Sequence, residues 1–268
     1  MALTTASKAY AHLEVINYEK IKNKEPADIQ RLAHASKPKG GRGLFFLDLR
    51  GPIAGRTLAD AQSLYQSAAK FFDASTDKKQ RFYKDGFDDG FSAHGDVEVF
   101  EIARDELVNG SLKLPVDLQL VEDRIRDFLS IIDTISRDIY HVIGSSIDPP
   151  IQLTTTSDLP SDTGLQLAWA RPEAHEGKVI APAHTDRGLL TLLYYDVPTL
   201  EVPVDGTDEW RLVKPSEGSV VGYVGDALQR SSEGRLLAPV HRVVAPQGGT
   251  YVAAYLLRPA FGTESTTA

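Results

Sequence analysis

The chain has 268 residues, a formal charge of −8 and 42% hydrophobic residues, which is ordinary for a globular protein of one or two domains. The acidic charge argues against nucleic acid or an anionic membrane as the main partner, and no apolar run is long enough to span a bilayer. The absence of cysteine excludes disulfides and thiolate metal sites. Because the first ten residues also lack the apolar core of a signal peptide, we predict a cytoplasmic protein.

The first half of the chain is predicted to be mainly helical. Helices are expected at 26–35, 57–73 and 118–143, and the last two have apolar residues at helical spacing. Short strands are expected at 13–18 and 44–49, between turn residues. The stretch 85–95, rich in glycine and aspartate, is predicted to be a loop.

After Pro149 and Pro150 the pattern changes to short β-rich runs separated by turns. The predicted strands are 165–170, 179–183, 189–195, 200–204, 210–213, 219–224, 239–244 and 251–257. Many short strands with turns that contain glycine and proline indicate a sandwich or barrel. We therefore predict one α+β domain, 1–268, with a helical N-terminal portion (1–150) packed against a jelly-roll core (151–260).

Two histidines and one aspartate are the candidate metal ligands. His184 and Asp186 lie two residues apart in a strand-like run, so their side chains point to the same side. His241 lies in a second strand-like run, far enough along the chain to belong to a different strand. Two imidazoles and one carboxylate form the facial triad of non-haem iron(II) oxygenases, which leaves one side of the metal open for substrate and O2.

The residues around these three resemble a known family. The resemblance is carried by Gly43-Leu44-Phe45-Phe46, His184-Thr185-Asp186-Arg187-Gly188, Gly225-Asp226-Ala227-Leu228-Gln229 and His241-Arg242-Val243. These segments are similar, in the same order, to motifs of the Fe(II)/2-oxoglutarate-dependent dioxygenases, in the branch that includes isopenicillin N synthase. The resemblance implies a double-stranded β-helix (jelly roll) with an N-terminal helical cap. It also implies that Fe(II) is bound by His184, Asp186 and His241, and that 2-oxoglutarate is the co-substrate.

The chain departs from this family where the far carboxylate of 2-oxoglutarate is expected. The family has an Arg-x-Ser motif shortly after the second histidine, where this chain has Tyr251 and Ala253. It has an Asn-x-Tyr motif on an earlier strand, where this chain has Ala168 and Ala170. We expect these four residues to share the inner face of the barrel, with the three alanines opening extra volume.

A buried carboxylate needs a cation or several hydrogen-bond donors. We therefore expect the tail of 2-oxoglutarate to meet Tyr251 and a cation from elsewhere. Arg171 is the first candidate, although its strand phase is unfavourable, and Arg187 and Arg258 are weaker ones.

Three functions are compatible with the sequence. The leading one is an Fe(II) oxygenase that uses O2 and 2-oxoglutarate to hydroxylate, desaturate or cyclise a small molecule in secondary metabolism. The second is an iron oxidase of the isopenicillin N synthase kind, which takes all its electrons from the substrate and needs no 2-oxoglutarate. The third is a catalytically silent jelly-roll binding protein. The triad argues against it, because a protein without catalytic activity does not need two histidines and an aspartate that converge on one point. The sequence carries no signal for an oligomeric state.

Overall fold

A computed structural model describes residues 10–83, 90–151 and 155–263. Before residue 150 the elements are β1 (Val15–Asn17), α1 (Tyr18–Lys22), α2 (Pro26–Ala35), β2 (Leu44–Asp48), α3 (Arg56–Phe72), α4 (Thr76–Gln80), β3 (Gly90–His94), β4 (Val97–Ala103), α5 (Arg104–Val108), α6 (Val116–Gln119) and α7 (Glu122–Ser145). After it they are β5 (Gly164–Ala170), β6 (Val179–His184), β7 (Leu190–Tyr195), β8 (Leu200–Pro203), β9 (Trp210–Leu212), β10 (Ser219–Val224), α8 (Asp226–Ser231), β11 (His241–Val244) and β12 (Thr250–Leu257). None of the helices in these ranges is both long and apolar enough to cross a membrane.

The strands form two sheets. The major sheet has eight strands in the order β1-β2-β10-β7-β12-β5-β4-β3, and the minor sheet has four in the order β6-β11-β8-β9. The eight strands that follow residue 160 are divided equally between the two sheets, which is the arrangement of a jelly roll. The predicted jelly-roll core is therefore confirmed. The helix-rich part of the chain before residue 150 also contributes β1 to β4 to the major sheet.

The long helices cover one side of the major sheet. Helix α7 buries Ile125, Phe128, Ile132, Ile135 and Ile139, whose spacing of three to four residues forms one apolar stripe. The Phe128 ring lies 5.4 Å from the ring of Tyr194 on β7. Helix α3 packs against β5 and β12 beside it. This core fixes the outer face of the major sheet, so the inner face is the side that meets the minor sheet.

The two faces of the major sheet can be assigned from the strand register. Residues directly opposite each other in antiparallel strands point to the same face, and successive residues alternate. Tyr251 pairs with Trp169, and Ala253 pairs with Leu167, and these residues pack in or against the core beneath the helices. Val252 pairs with Ala168 and packs instead against a second cluster that includes Leu200 and Val202 of the minor sheet. The even-numbered residues of β12 therefore face inwards.

The predicted loop at 85–95 is wrong for residues 90–94, which form β3 and pair with β4. Residues 85–89 lie outside the described ranges. Strand β4 has no counterpart among the predicted elements, because Glu98 and Glu101 interrupt its apolar pattern. Both glutamates are buried through ion pairs, Glu98 with Lys79 and Glu101 with Arg258. Because Lys79 and Arg258 are distant from these glutamates in the sequence, the ion pairs produce no periodic pattern that would predict a buried strand.

The helix predicted at 118–143 is two helices, α6 and α7, separated at Leu120 and Val121. Leu120 is 77% exposed, because it follows the short helix α6 instead of lying inside a continuous helix. Helix α2 has the predicted bounds, and α3 is shifted from its prediction by one residue. The break places the N-terminus of α7 at the surface.

Candidate metal centre

His184, Asp186 and His241 converge at one end of the jelly roll. His184 ends β6, His241 begins β11, and the two residues are direct partners in the minor sheet. Asp186 lies in the turn that follows β6. Its Oδ1 atom is 3.4 Å from Nε2 of His184 and 3.3 Å from Nε2 of His241. One ligand atom from each residue lies within 4.8 Å of the other two, which is close enough for a single metal ion.

Both imidazole rings are oriented by the same kind of hydrogen bond to a nearby backbone carbonyl. Nδ1 of His184 lies 2.7 Å from the carbonyl oxygen of Pro182, and Nδ1 of His241 lies 3.2 Å from that of Pro239. A carbonyl oxygen only accepts a hydrogen bond, so each Nδ1 donates its proton and each Nε2 is left for the metal. The repeated Pro-x-His spacing is a sequence signal that the residue-level prediction did not use.

The carboxylate of Asp186 is fixed through its second oxygen. The Thr191 hydroxyl donates to Oδ2 at 2.8 Å, and the phenol of Tyr223 hydrogen-bonds the same carboxylate. Thr191 and Tyr223 are cross-strand partners on the inner face of β7 and β10. Burial tends to raise the pKa of Asp186, but the adjacent imidazoles of His184 and His241 and the hydrogen bond from Thr191 hold that pKa well below its usual range. The carboxylate is therefore ionised, with Oδ1 facing both imidazoles.

The turn that carries Asp186 is fixed by a close approach of two backbone segments. The backbone N–H of Asp226 donates to the carbonyl of Asp186 at 2.9 Å, and the Asp226 side chain accepts from the N–H of Gly188 at 3.3 Å. A Cβ atom on Gly225 would lie 2.2 Å from the carbonyl oxygen of Gly188, so only glycine fits there. These contacts explain why the segment around Asp226 accompanies the metal-ligand motif in the sequence.

Comparisons with known proteins agree with this site. A family model described as the 2OG-Fe(II) oxygenase superfamily matches residues 169–259, which include the whole triad. A 2-oxoglutarate-dependent dioxygenase of Gibberella zeae is 27% identical over 95% of this chain and 81% of that protein. A probable 2-oxoglutarate-dependent dioxygenase of Arabidopsis thaliana is 44% identical over 70 residues, 26% of this chain and 23% of that protein. Residues 169–259 of the chain thus match the 2OG-Fe(II) oxygenase superfamily. The resemblance seen in the sequence is confirmed.

Two solved structures that bind the same 2-oxo acid have the same fold. A full-length protein of Neurospora crassa, in complex with alpha-KG and 5-formyluracil, superimposes with a TM-score of 0.76, 21% identity and coverage of 99% of this chain and 93% of that chain. The dioxygenase for auxin oxidation 1 of Arabidopsis thaliana, in a complex with 2-oxoglutarate, superimposes with a TM-score of 0.74 and 19% identity. This superposition covers 92% of this chain and 93% of that chain. At these identities the likeness carries the fold alone, and the predicted α+β double-stranded β-helix is confirmed.

The donor set fits Fe(II), one of the two cofactors of this superfamily. Two imidazole nitrogens and one carboxylate oxygen are the ligands of non-haem iron oxygenases. The side chain of His184 is 41% exposed, whereas that of His241 is 4% exposed, so the cluster is open on the His184 side.

The residues predicted to hold the tail of 2-oxoglutarate, the second cofactor, do not lie together. Tyr251 is on the outer face, where its ring stacks on Tyr65, Phe72 and Trp169 at 6.3–6.4 Å between ring centroids. Ala253 is fully buried on the same outer face. The prediction that both line the inner face is wrong, because the turn between β11 and β12 shifts the strand phase, and a shift of one residue exchanges the faces. Ala168 and Ala170 are on the inner face as predicted.

Arg171, the first candidate for the missing cation, has other partners in the structure. Its guanidinium pairs with Glu98 and lies 5.9 Å from the Trp169 ring, and both of these residues are on the outer face. These contacts direct the Arg171 side chain away from the inner face, and a co-substrate contact by Arg171 stays a prediction. Of the weaker candidates, Arg187 is exposed on the loop after Asp186, and Arg258 is paired with Glu101.

Proposed function

We propose that this chain is an Fe(II)-dependent oxygenase that uses O2 and 2-oxoglutarate to oxidise a C–H bond of a small organic molecule. The observation that supports it is the convergence of Nε2 of His184, Nε2 of His241 and Oδ1 of Asp186 at one point. In this proposal these three residues hold the metal. Hydroxylation, desaturation and cyclisation are all within this chemistry.

The residues of the chain position the reaction. When bound, Fe(II) supplies the redox chemistry that joins O2 to the 2-oxo acid and the substrate. The carbonyls of Pro182 and Pro239 orient the two imidazoles, and Thr191 holds the carboxylate, so the donors are in place before the metal arrives. The metal site is closed on the side of His241, whose side chain is buried. A small molecule enters from the side of His184, whose side chain is exposed. Ala168 lines the wall beside the co-substrate.

The finer parts of the proposal rest on composition and analogy. A small-molecule substrate, with neither nucleic acid nor membrane as partner, agrees with the charge of −8. A role in secondary metabolism and a cytoplasmic location stay predictions. A single oxygenase domain is supported by the major sheet, because strands from both halves of the chain pair within it.

The proposal is tested by the release of labelled CO2 from 2-oxoglutarate labelled at its first carbon. We expect slow release without any substrate, because oxygenases of this kind decarboxylate the 2-oxo acid in an uncoupled reaction, and we expect it to require both Fe(II) and O2. Release that does not exceed the rate with Asp186→Ala would contradict the proposal.

The oxidase alternative is favoured by one observation, which is that the described inner faces of β4, β5 and β12 offer no unpaired cation for a second carboxylate. An oxidase would consume O2 with its substrate alone and would not respond to any 2-oxo acid. Dependence of O2 consumption on a 2-oxo acid therefore separates the two functions.

The hydrogen bonds to Asp186 lead to a further prediction. Thr191→Val removes the donor to Oδ2 with little change in shape, and Tyr223→Phe removes the phenol. We expect each variant to bind Fe(II) about 10 to 100 times more weakly, because groups that orient a metal ligand have effects of this size. Tyr195→Phe is the matched control, since the Tyr195 phenol bonds the carbonyl of Val213 away from the triad. Anaerobic metal titration measures the effect, and unchanged affinity in both variants would contradict it.

A further inference from the structure

Four inner-face residues of β5 and β12 form one continuous patch. Thr250 is the direct partner of Ala170, and Val252 is the direct partner of Ala168. We call these four residues the inner patch. The only hydroxyl in the patch, that of Thr250, donates to the backbone carbonyl of Tyr251 at 3.2 Å. The inner patch therefore presents methyl groups to the space between the sheets.

Part of the inner patch is only half-buried, and the patch extends towards the triad. Ala168 and Val252 are only half-buried, as are Val97 and Val99 of β4, which continue the patch as partners of Ala170 and Ala168. Leu167 and Ala253, which face outwards on the same strands, are fully buried beneath the helices. Val252 also packs against the cluster that contains Tyr223, and the Tyr223 ring lies 5.1 Å from the ring of His241. The apolar wall thus continues into the metal site.

The charge near the inner patch is already neutralised. Along the inner faces of β4, β5 and β12, as far as the described ranges extend, Glu101 is the one charged side chain. Glu101 is bound by the guanidinium of Arg258, and the Gln166 amide donates to it at 2.7 Å. Arg258 also donates to the carbonyl of Asp162. A carboxylate placed against the inner patch would be desolvated without a cation, whereas an alkyl group would bury apolar surface.

We propose that this pocket accepts a 2-oxo acid with an uncharged aliphatic side chain as co-substrate, at least as readily as 2-oxoglutarate. This inference rests on the proposed function, because the 2-oxo acid end binds at the triad in both cases. The side chain lies along the inner patch.

The reaction balances as it does with 2-oxoglutarate. The bond between the first two carbons of the 2-oxo acid breaks, and CO2 leaves. One oxygen atom of O2 enters the new carboxylate and the other enters the substrate as hydroxyl, so the 2-oxo acid and the substrate each provide two electrons. 2-Oxopentanoate gives butanoate where 2-oxoglutarate gives succinate.

These two acids are a matched pair, because a methyl group in one replaces the far carboxylate of the other. A pocket with a cation for that carboxylate would bind 2-oxoglutarate at least about tenfold more tightly. Burying one additional methyl group in an apolar pocket favours binding by about fourfold. We therefore expect the Kd of 2-oxopentanoate to be equal to that of 2-oxoglutarate or up to about fourfold lower.

The test is an anaerobic titration of the Fe(II)-loaded protein with each acid, followed by the visible charge-transfer band of the metal chelate. Thr250→Arg places a cation on the inner patch and should tighten 2-oxoglutarate at least about tenfold without tightening 2-oxopentanoate. Tyr251→Phe is the matched control, because it changes the outer face of the same strand and should leave both Kd values unchanged.

The wild-type titration decides the inference even if Thr250→Arg fails to fold. Binding of 2-oxoglutarate more than about tenfold tighter than that of 2-oxopentanoate would overturn it and leave the proposed function standing. Binding of neither acid to a protein that does bind Fe(II) would overturn the proposed function itself.

Discussion

His184→Ala is expected to weaken Fe(II) binding more than about a hundredfold and to abolish the decarboxylation of 2-oxo acids. Loss of one of three protein ligands must exceed the 10- to 100-fold effect of removing a group that only orients a ligand. The fold should be unchanged, because the exposed His184 ring contacts the Pro182 carbonyl and Asp186 at the mouth of the barrel. Metal content after dialysis and labelled CO2 release measure the two losses.

Asp186→Ala and His241→Ala should have the same effect, whereas His141→Ala is the matched control. His141 is an exposed histidine on α7, which packs on the opposite face of the major sheet. A His184→Ala protein that keeps its iron and its activity would show that the metal site lies elsewhere.

Glu98→Leu is expected to lower the free energy of unfolding by about 3–5 kcal/mol. Lys79 and Glu98 form an ion pair at 2.6 Å with side-chain exposures of 6% and 2%, and Lys79 also donates to the carbonyl of Phe72. Leucine at position 98 leaves the Lys79 ammonium buried without its counter-charge, which costs far more than an exposed pair contributes. Equilibrium unfolding in urea, monitored by circular dichroism, measures the change.

Arg171→Met is the control for this prediction. Arg171 pairs with the other oxygen of Glu98, but its side chain is 42% exposed and screened by solvent, so its loss should cost no more than about 1 kcal/mol. Equal losses in the two variants would contradict the assignment of Lys79 as the buried partner. Because both residues lie on the outer face, neither substitution should alter the Kd of a 2-oxo acid.

The sequence predicts the core strands and the triad well, since both depend on local patterns. Strand β10 has the predicted bounds, and the other strands that follow residue 160 deviate from theirs by one or two residues. His184 ends β6, and the turn that follows keeps Asp186 on the same side, so the predicted convergence of the two side chains is found although Asp186 lies just outside the strand. His241 joins them because it is the cross-strand partner of His184.

The pocket wall could not be predicted in the same way. Its assignment depends on the phase of β12, and counting from His241 through a turn cannot fix that phase to one residue. Tyr251 and Ala253 were thus predicted on the wrong face, and Thr250 and Val252 were missed. Thr191 and Tyr223 were missed because they lie within apolar runs. Their role can be recognised only from their contact with Asp186, which the sequence does not show. The four missed residues, Thr250, Val252, Thr191 and Tyr223, are identified by cross-strand pairing and not by composition.

The central claim is that the triad binds a metal at which O2 oxidises a 2-oxo acid. Its most direct test is turnover under isotopically labelled O2, with the carboxylate product analysed by mass spectrometry. With Fe(II) and either 2-oxopentanoate or 2-oxoglutarate, we predict one labelled oxygen atom in each butanoate or succinate formed, and no product from His184→Ala. An unlabelled carboxylate product, or labelled product at an undiminished rate from His184→Ala, would contradict the claim.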